Sequence, residues 1–181
     1  MPEIRDALRA RFRWIGDKTA PDYRADVTGW WRDGHIVSQI GPALAGLFEG
    51  EPPNVVMGTQ SRGSLLGILV ALSLGVGFAE VRKNNGPSAD SDAWWEVLTA
   101  PDYRNEHLSL GLRRSLLRAS DRVLFVDDWI ATGAQADACR ALVEMSGARW
   151  IGAAVVVDGL TRPNLRRSLR VKSLLHIRDL G

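Results

Sequence analysis

The chain has 181 residues, 45% of them hydrophobic, with 23 Lys and Arg against 21 Asp and Glu for a formal net charge of +2. That length can bury a full core in one domain over 1–181, and no apolar run of the length a membrane span or a leader needs is visible. The lone Cys139 excludes a disulfide framework within one chain, so a cytoplasmic protein is expected.

Ile4, Leu8, Phe12 and Ile15 recur at helical spacing and predict an opening helix with one apolar side. Ile36, Ile40, Leu44, Leu47 and Phe48 repeat the pattern until Gly50 and Pro52-Pro53 stop it. Val55-Val56-Met57 reads as a short buried strand ending at Gly58. Leu65 to Leu72 reads as a helix buried nearly all round and closed by Gly75, with Val76 to Val81 as the next strand. Residues 84–92 are polar and turn-rich, and the connection they open is longer than ordinary ones. Leu108, Leu110 and Leu112 alternate with Ser109 and Gly111, the pattern of a half-exposed strand. A strand at Val123–Val126 is followed by a helix to about Ser146, ended by Gly147, and by a strand from Trp150 to Val157. Strands alternating with helices predict an α/β fold, a mainly parallel twisted sheet with helices on both faces. In such sheets ligands bind outside the carboxyl ends of the strands.

Basic residues cluster at Arg113, Arg114, Arg118 and Arg122, and again at Arg162, Arg166, Arg167, Arg170 and Lys172. The aromatic interleaving of a single-strand binder is missing, so these runs read as solvated faces or oligomer rims, and no nucleic-acid partner is expected.

The most informative stretch is Val123-Leu-Phe-Val-Asp-Asp-Trp-Ile-Ala-Thr-Gly-Ala-Gln135. A short apolar strand delivers Asp127 and Asp128 to its carboxyl end. A small-residue turn, Ala131-Thr132-Gly133-Ala134, then opens a helix. Carboxylates for sugar hydroxyls thus stand beside backbone N–H groups for a phosphate.

This stretch resembles the phosphoribosyl-pyrophosphate motif of type I phosphoribosyltransferases, and the wider layout is similar to the adenine-type members. The likeness covers roughly residues 54 to 158. Its second anchor is Gly58-Thr59-Gln60-Ser61-Arg62-Gly63, and its third is Val81-Arg82-Lys83. The resemblance implies a type I phosphoribosyltransferase fold with a small hood, drawn from 1–50 and the final segment, and a mobile loop at about 84–106. It implies transfer of a phosphoribosyl group to a nitrogenous base, with an adenine-like purine as first choice and pyrophosphate released. Asp127 and Asp128 would hold the ribose hydroxyls and favour the oxocarbenium character of the transition state. Ala131, Thr132, Gly133, Ala134 and Gln135 would hold the 5′-phosphate. Arg62, on the Ser61-Arg62-Gly63 turn, would grip the pyrophosphate, with Arg82 and Lys83 adding positive charge beside it. Mg²⁺ is implied as a companion of the pyrophosphate, with no dedicated cage of side chains to ligate it. A homodimer is implied by family habit.

Trp129 either stacks on the base or packs against its own surroundings, and Trp94, Trp95 and Tyr103 either cap the pocket or form a surface patch. Ala131 stands where 6-oxopurine enzymes carry an Asp, which argues against hypoxanthine and guanine. Gln135 replaces the usual Thr or Ser, Asn84-Asn85-Gly86-Pro87 departs from Gly-Lys-Leu-Pro, and the Glu-Tyr pair of the loop has only Tyr103 and Glu106 as candidates. These departures leave open an alternative, a non-catalytic sensor of phosphoribosyl pyrophosphate or nucleotides on the same fold.

Overall fold

A computed structural model describes residues 2–19, 23–84, 93–100 and 107–181. The opening helix α1 (Pro2–Arg11) buries Ile4 and Leu8. It ends before Phe12, and Ile15 falls instead in a short strand β1 (Arg13–Ile15), 41% exposed. β1 pairs antiparallel with β2 (Arg24–Asp26) as a separate two-stranded sheet. Helices α2 (Thr28–Arg32) and α3 (Gly34–Ala45) follow, with the Asp33 side chain capping α3 through the His35 and Ile36 amides. Then come β3 (Val55–Thr59), α4 (Arg62–Leu74), β4 (Gly77–Lys83), β5 (Trp94–Leu98), β6 (Ser109–Arg113), β7 (Arg122–Ile130), α5 (Ala134–Met145), β8 (Arg149–Asp158), α6 (Pro163–Leu169) and β9 (Val171–His176). A 3₁₀ turn, Ile177–Leu180, follows β9.

The central sheet has the order β5-β6-β4-β3-β7-β8-β9. From β4 to β9 every neighbouring pair is parallel, and β6 joins β4 and β5 antiparallel at one edge. Period-two alternation splits β7 between two cores. Leu124 and Val126 face α3 and α4 with Val56, Leu66 and Val70, whereas Val123 and Phe125 face α5 with Met57, Cys139 and Leu142. Cys139 is fully buried there, a small core residue whose thiol pKa burial pushes well up.

Three expectations change. Trp94–Leu98, within the stretch read as a loop, is a strand, because its side chains pair across β6 from Trp94 opposite Arg113 to Leu98 opposite Ser109. Held between β5 and β4, β6 is buried at Leu110, Gly111 and Leu112 rather than half-exposed. The helix around Leu65–Leu72 is not buried all round: Leu65 (55% exposed), Ile68 (52%) and Leu72 (78%) form an open apolar stripe. The second basic run is tied down locally. Arg166 pairs with Asp158 at 2.8 Å, and Arg170 grips Glu51 with bonds of 2.8 and 3.0 Å. Among the described residues no helix is long and apolar enough to cross a membrane.

Candidate active site

A cavity of about 600 Å³ opens at the carboxyl ends of β3, β4 and β7. Ser61, Arg62, Gly63, Lys83, Asp127, Asp128, Trp129 and Ala131 to Gln135 all line it. The three sequence anchors, far apart in the chain, therefore converge.

The close approach that joins them depends on glycine. A Cβ on Gly58 would lie 2.2 Å from the Gly63 carbonyl oxygen, and one on Gly63 would lie 3.0 Å from Asp127 Oδ1. With only hydrogens there, the head of α4 settles against the ends of β3 and β7. The Gln60–Ser61 peptide in this turn is cis. Ser61 precedes α4 without capping it, so its hydroxyl is not committed to the helix. β7 runs on to Ile130, so both carboxylates sit within the strand and not beyond it.

The two carboxylates have different surroundings. Asp128 is nearly buried and pairs with Arg62, Nε to Oδ2, at 2.9 Å. Asp127 accepts the Asp128 amide at 2.9 Å and the Thr59 hydroxyl at 3.4 Å. Asp127 lines the cavity and is half-buried at its surface, with its carboxyl set among the strand ends. That enclosure, with the Asp128 charge beside it, raises its carboxyl pKa well above the usual carboxylate range, partly offset by Lys83.

Gly133 takes a left-handed conformation (φ 80°) at the head of α5, and the Thr132 hydroxyl accepts the Ala134 amide at 3.3 Å. The first N–H groups of a helix lack intrahelical partners, and Ala134, Gln135 and Ala136 at the head of α5 line the cavity. Gln135 does not extend along the loop: its Oε1 lies 3.4 Å from the buried Thr59 hydroxyl.

Arg82 is a correction. Alternation along β4 sends Lys83 into the cavity and Arg82 to the opposite face, where its guanidinium lies 5.4 Å from the centre of the Trp94 ring and 3.5 Å from Glu80. Trp94 and Trp95 do not line the cavity; they carry Arg82, Arg113 and Arg114 on their rings. Tyr103 and Glu106 lie outside the described residues. Trp129 packs internally and also faces the cavity. It stacks on Phe12 (6.2 Å, 29°) and still forms part of the cavity wall.

Sequence reasoning missed Thr59, Gln60, Trp14, Tyr23, Arg24 and Ile177, all near or lining the cavity. Thr59 and Gln60 lay inside a recognised anchor, where their place before Ser61 was a signal. The others lie in a short hairpin and a final turn whose sequences show no periodicity long enough to mark them.

Among the described residues no three of His, Cys, Asp and Glu converge on a metal-sized space. His107 Nδ1 lies 2.8 Å from the Thr99 carbonyl oxygen, and His176 Nδ1 accepts the Arg178 amide.

A mainly parallel sheet bearing paired carboxylates on β7 and a small-residue turn after it, opposite a Ser-Arg-Gly helix head, is the architecture of the type I phosphoribosyltransferases. No protein-family model matches the chain. The adenine phosphoribosyltransferase of Synechococcus sp. (strain RCC307) is 33% identical over 183 residues, covering 96% of this chain and 97% of that one. That of Methylococcus capsulatus is 36% identical over 179 residues, covering 94% and 99%. The solved adenine phosphoribosyltransferase of Rhodothermus marinus superposes with a TM-score of 0.81 at 26% identity, covering 98% of this chain and all of that one. That of Thermoanaerobacter pseudethanolicus, at 24% identity and a TM-score of 0.84, shares the fold. The chain belongs to the adenine phosphoribosyltransferase family. It is an enzyme that joins a nitrogenous base to phosphoribosyl pyrophosphate with release of pyrophosphate, rather than the non-catalytic sensor raised as an alternative.

Proposed function

We propose that adenine is the base, and that the groups gathered in the 600 Å³ cavity divide the work of the transfer. The observation that carries this reading is the convergence of Asp127 and Asp128, the loop 131–135 and the turn 61–63 on one space beside an aromatic recess. The names of the relatives support adenine, and Ala131 in place of an acidic residue suits a base without a 6-oxo group.

The 5′-phosphate would rest on the loop 131–135, accepting N–H bonds at the head of α5 and the Thr132 hydroxyl. The ribose hydroxyls would donate to Asp127 and Asp128. A ring nitrogen of the base attacks C1 as the C1–O bond breaks; the electron pair leaves with pyrophosphate and the base gives up its N–H proton. Positive charge grows on the sugar meanwhile, and the Asp pair lies where it is stabilised. Lys83 and Arg62 meet the charge growing on the leaving group, Arg62 exchanging its ion pair with Asp128 for one with the diphosphate. Ser61 and the Gly63 amide complete that cradle. Trp129 and the hairpin aromatics would flank the base, which has two flat faces to stack.

The donor set fits Mg²⁺ that arrives on the diphosphate: two adjacent carboxylates with no third such ligand beside them among the described residues, for an ion that keeps its waters and takes substrate phosphates. Asp127 and Asp128 would hold it, and it would neutralise charge on the leaving group. We further propose a homodimer in the cytoplasm, with the stripe Leu65, Ile68 and Leu72 covered by the second copy.

The test is pyrophosphate release from phosphoribosyl pyrophosphate and Mg²⁺ across adenine, guanine, hypoxanthine, xanthine, uracil and orotate. Release that depends on adenine is expected. Release driven by another base instead would reassign the acceptor.

A further inference from the structure

The acceptor side of the cavity is built by a hairpin that the central sheet does not hold. β1 and β2 form their own sheet, with Trp14 opposite Ala25 and Ile15 opposite Arg24. Two strands alone are marginal in water, so other contacts must fix them. Trp14 lies face to face with Tyr23 (4.8 Å, 12°) and edge-on to both Phe12 (5.2 Å, 86°) and Trp129 (6.1 Å, 77°). Ring contacts tolerate several orientations of an indole, but its single N–H selects among them.

That N–H donates to the Leu180 carbonyl at 3.2 Å. Leu180 is 9% exposed and closes the turn Ile177–Leu180, whose first residue lines the same cavity. The turn carries a reciprocal cap. The His176 amide donates to Asp179 Oδ2 at 2.8 Å, and the Arg178 amide donates to His176 Nδ1 at 3.1 Å.

We infer that the turn Ile177–Leu180 is a positioning element for the acceptor, its Leu180 carbonyl holding Trp14 as a wall of the base subsite. Asp179, which does not line the cavity, thereby acts on how firmly the base is held. The inference rests on reading this cavity as the site of base and donor.

The test measures KM for adenine and for phosphoribosyl pyrophosphate in Trp14→Phe, Asp179→Ala and their double variant. Each single change should raise the adenine KM about 3- to 10-fold, the range of one lost hydrogen bond, with the donor KM unmoved. The double variant should go no further than the larger single effect, because both changes break one linkage. Asp179→Asn, which keeps an acceptor oxygen for the His176 amide, should restore the wild-type adenine KM. An unchanged adenine KM in Asp179→Ala, equal changes in both KM values, or additive effects in the double variant would overturn the inference. Should Trp14→Phe fail to fold, the Asp179 pair of variants decides alone. A wild-type protein that does not turn over adenine overturns the acceptor reading and this inference with it, and does so before any substitution is made.

Discussion

Asp127 and Asp128 are neighbours in the chain, and β7 turns them into chemically different groups. Asp128 meets a guanidinium at 2.9 Å; Asp127 meets a hydroxyl, an amide and its neighbour's charge. Asp128→Asn should leave the fold intact and lower kcat by about 10²- to 10³-fold, the scale of one lost electrostatic contact to a transition state. Steady-state turnover on a variant with an unaltered circular dichroism spectrum checks this, and unchanged turnover would remove the role. Asp127 makes the opposite prediction for stability. Its raised pKa means that the native state binds that proton more tightly than the unfolded chain does. Its contribution is therefore most favourable below about pH 4 and is lost as pH climbs through the raised native value. Asp127→Asn should melt higher than wild type at pH 8, with the gain shrinking toward pH 4, while activity falls. Melting curves across that range that run parallel for both proteins would refute the argument. The Asp pair was legible from its place after an apolar strand. Which partners each would meet was not, because Thr59 and Lys83 reach Asp127 only through the parallel pairing of β3, β4 and β7.

At the level of elements, the site depends on how closely α4 can start to the strand ends. Gly58 faces the Gly63 carbonyl with no room for a methyl group. Gly58→Ala should cost about 1–3 kcal/mol in urea unfolding, as forced overpacking does, and should weaken donor binding through displacement of Arg62. A loss of stability with donor affinity unchanged would separate the glycine from the site. The same scale explains the reading of Arg82. As a dipeptide, Arg82-Lys83 is simply basic; on a strand its members must point to opposite faces, and the position of the cavity admits only Lys83. It explains β5 too, since Trp94–Leu98 alternates poorly by itself and becomes a strand because β6 offers it a partner.

At the scale of the whole molecule, an apolar stripe on α4 stands without cover among the described residues. Leu65, Ile68 and Leu72 share a face of α4, the helix whose head carries Ser61 and Arg62. Glu80 bonds the Ser64 hydroxyl at 3.1 Å and pairs with Arg82, so the outward-facing Arg82 stands beside that same helix head. Wild-type protein should sediment as twice its 19.9 kDa, and Ile68→Glu with Leu72→Glu should yield a folded monomer. A wild type that sediments as a monomer at micromolar concentration would refute the dimer.

Wherever a feature was written into consecutive residues, the sequence alone determined it. Paired carboxylates after an apolar strand, a small-residue turn before a helix, and an alternation of strands and helices each depend on near neighbours and on backbone periodicity. The residues of β7, the turn and the head of α5 that line the cavity were readable for that reason. The hairpin side of the cavity belongs to the tertiary structure. Trp14 becomes a cavity wall through Leu180, 166 positions away, and through the rings of its neighbour Phe12, of Tyr23 and of the distant Trp129. The stripe on α4 likewise looked like core because apolar residues at helical spacing are apolar whether or not another element arrives to cover them. Such outcomes depend on which surfaces meet after folding, and no local pattern encodes that meeting.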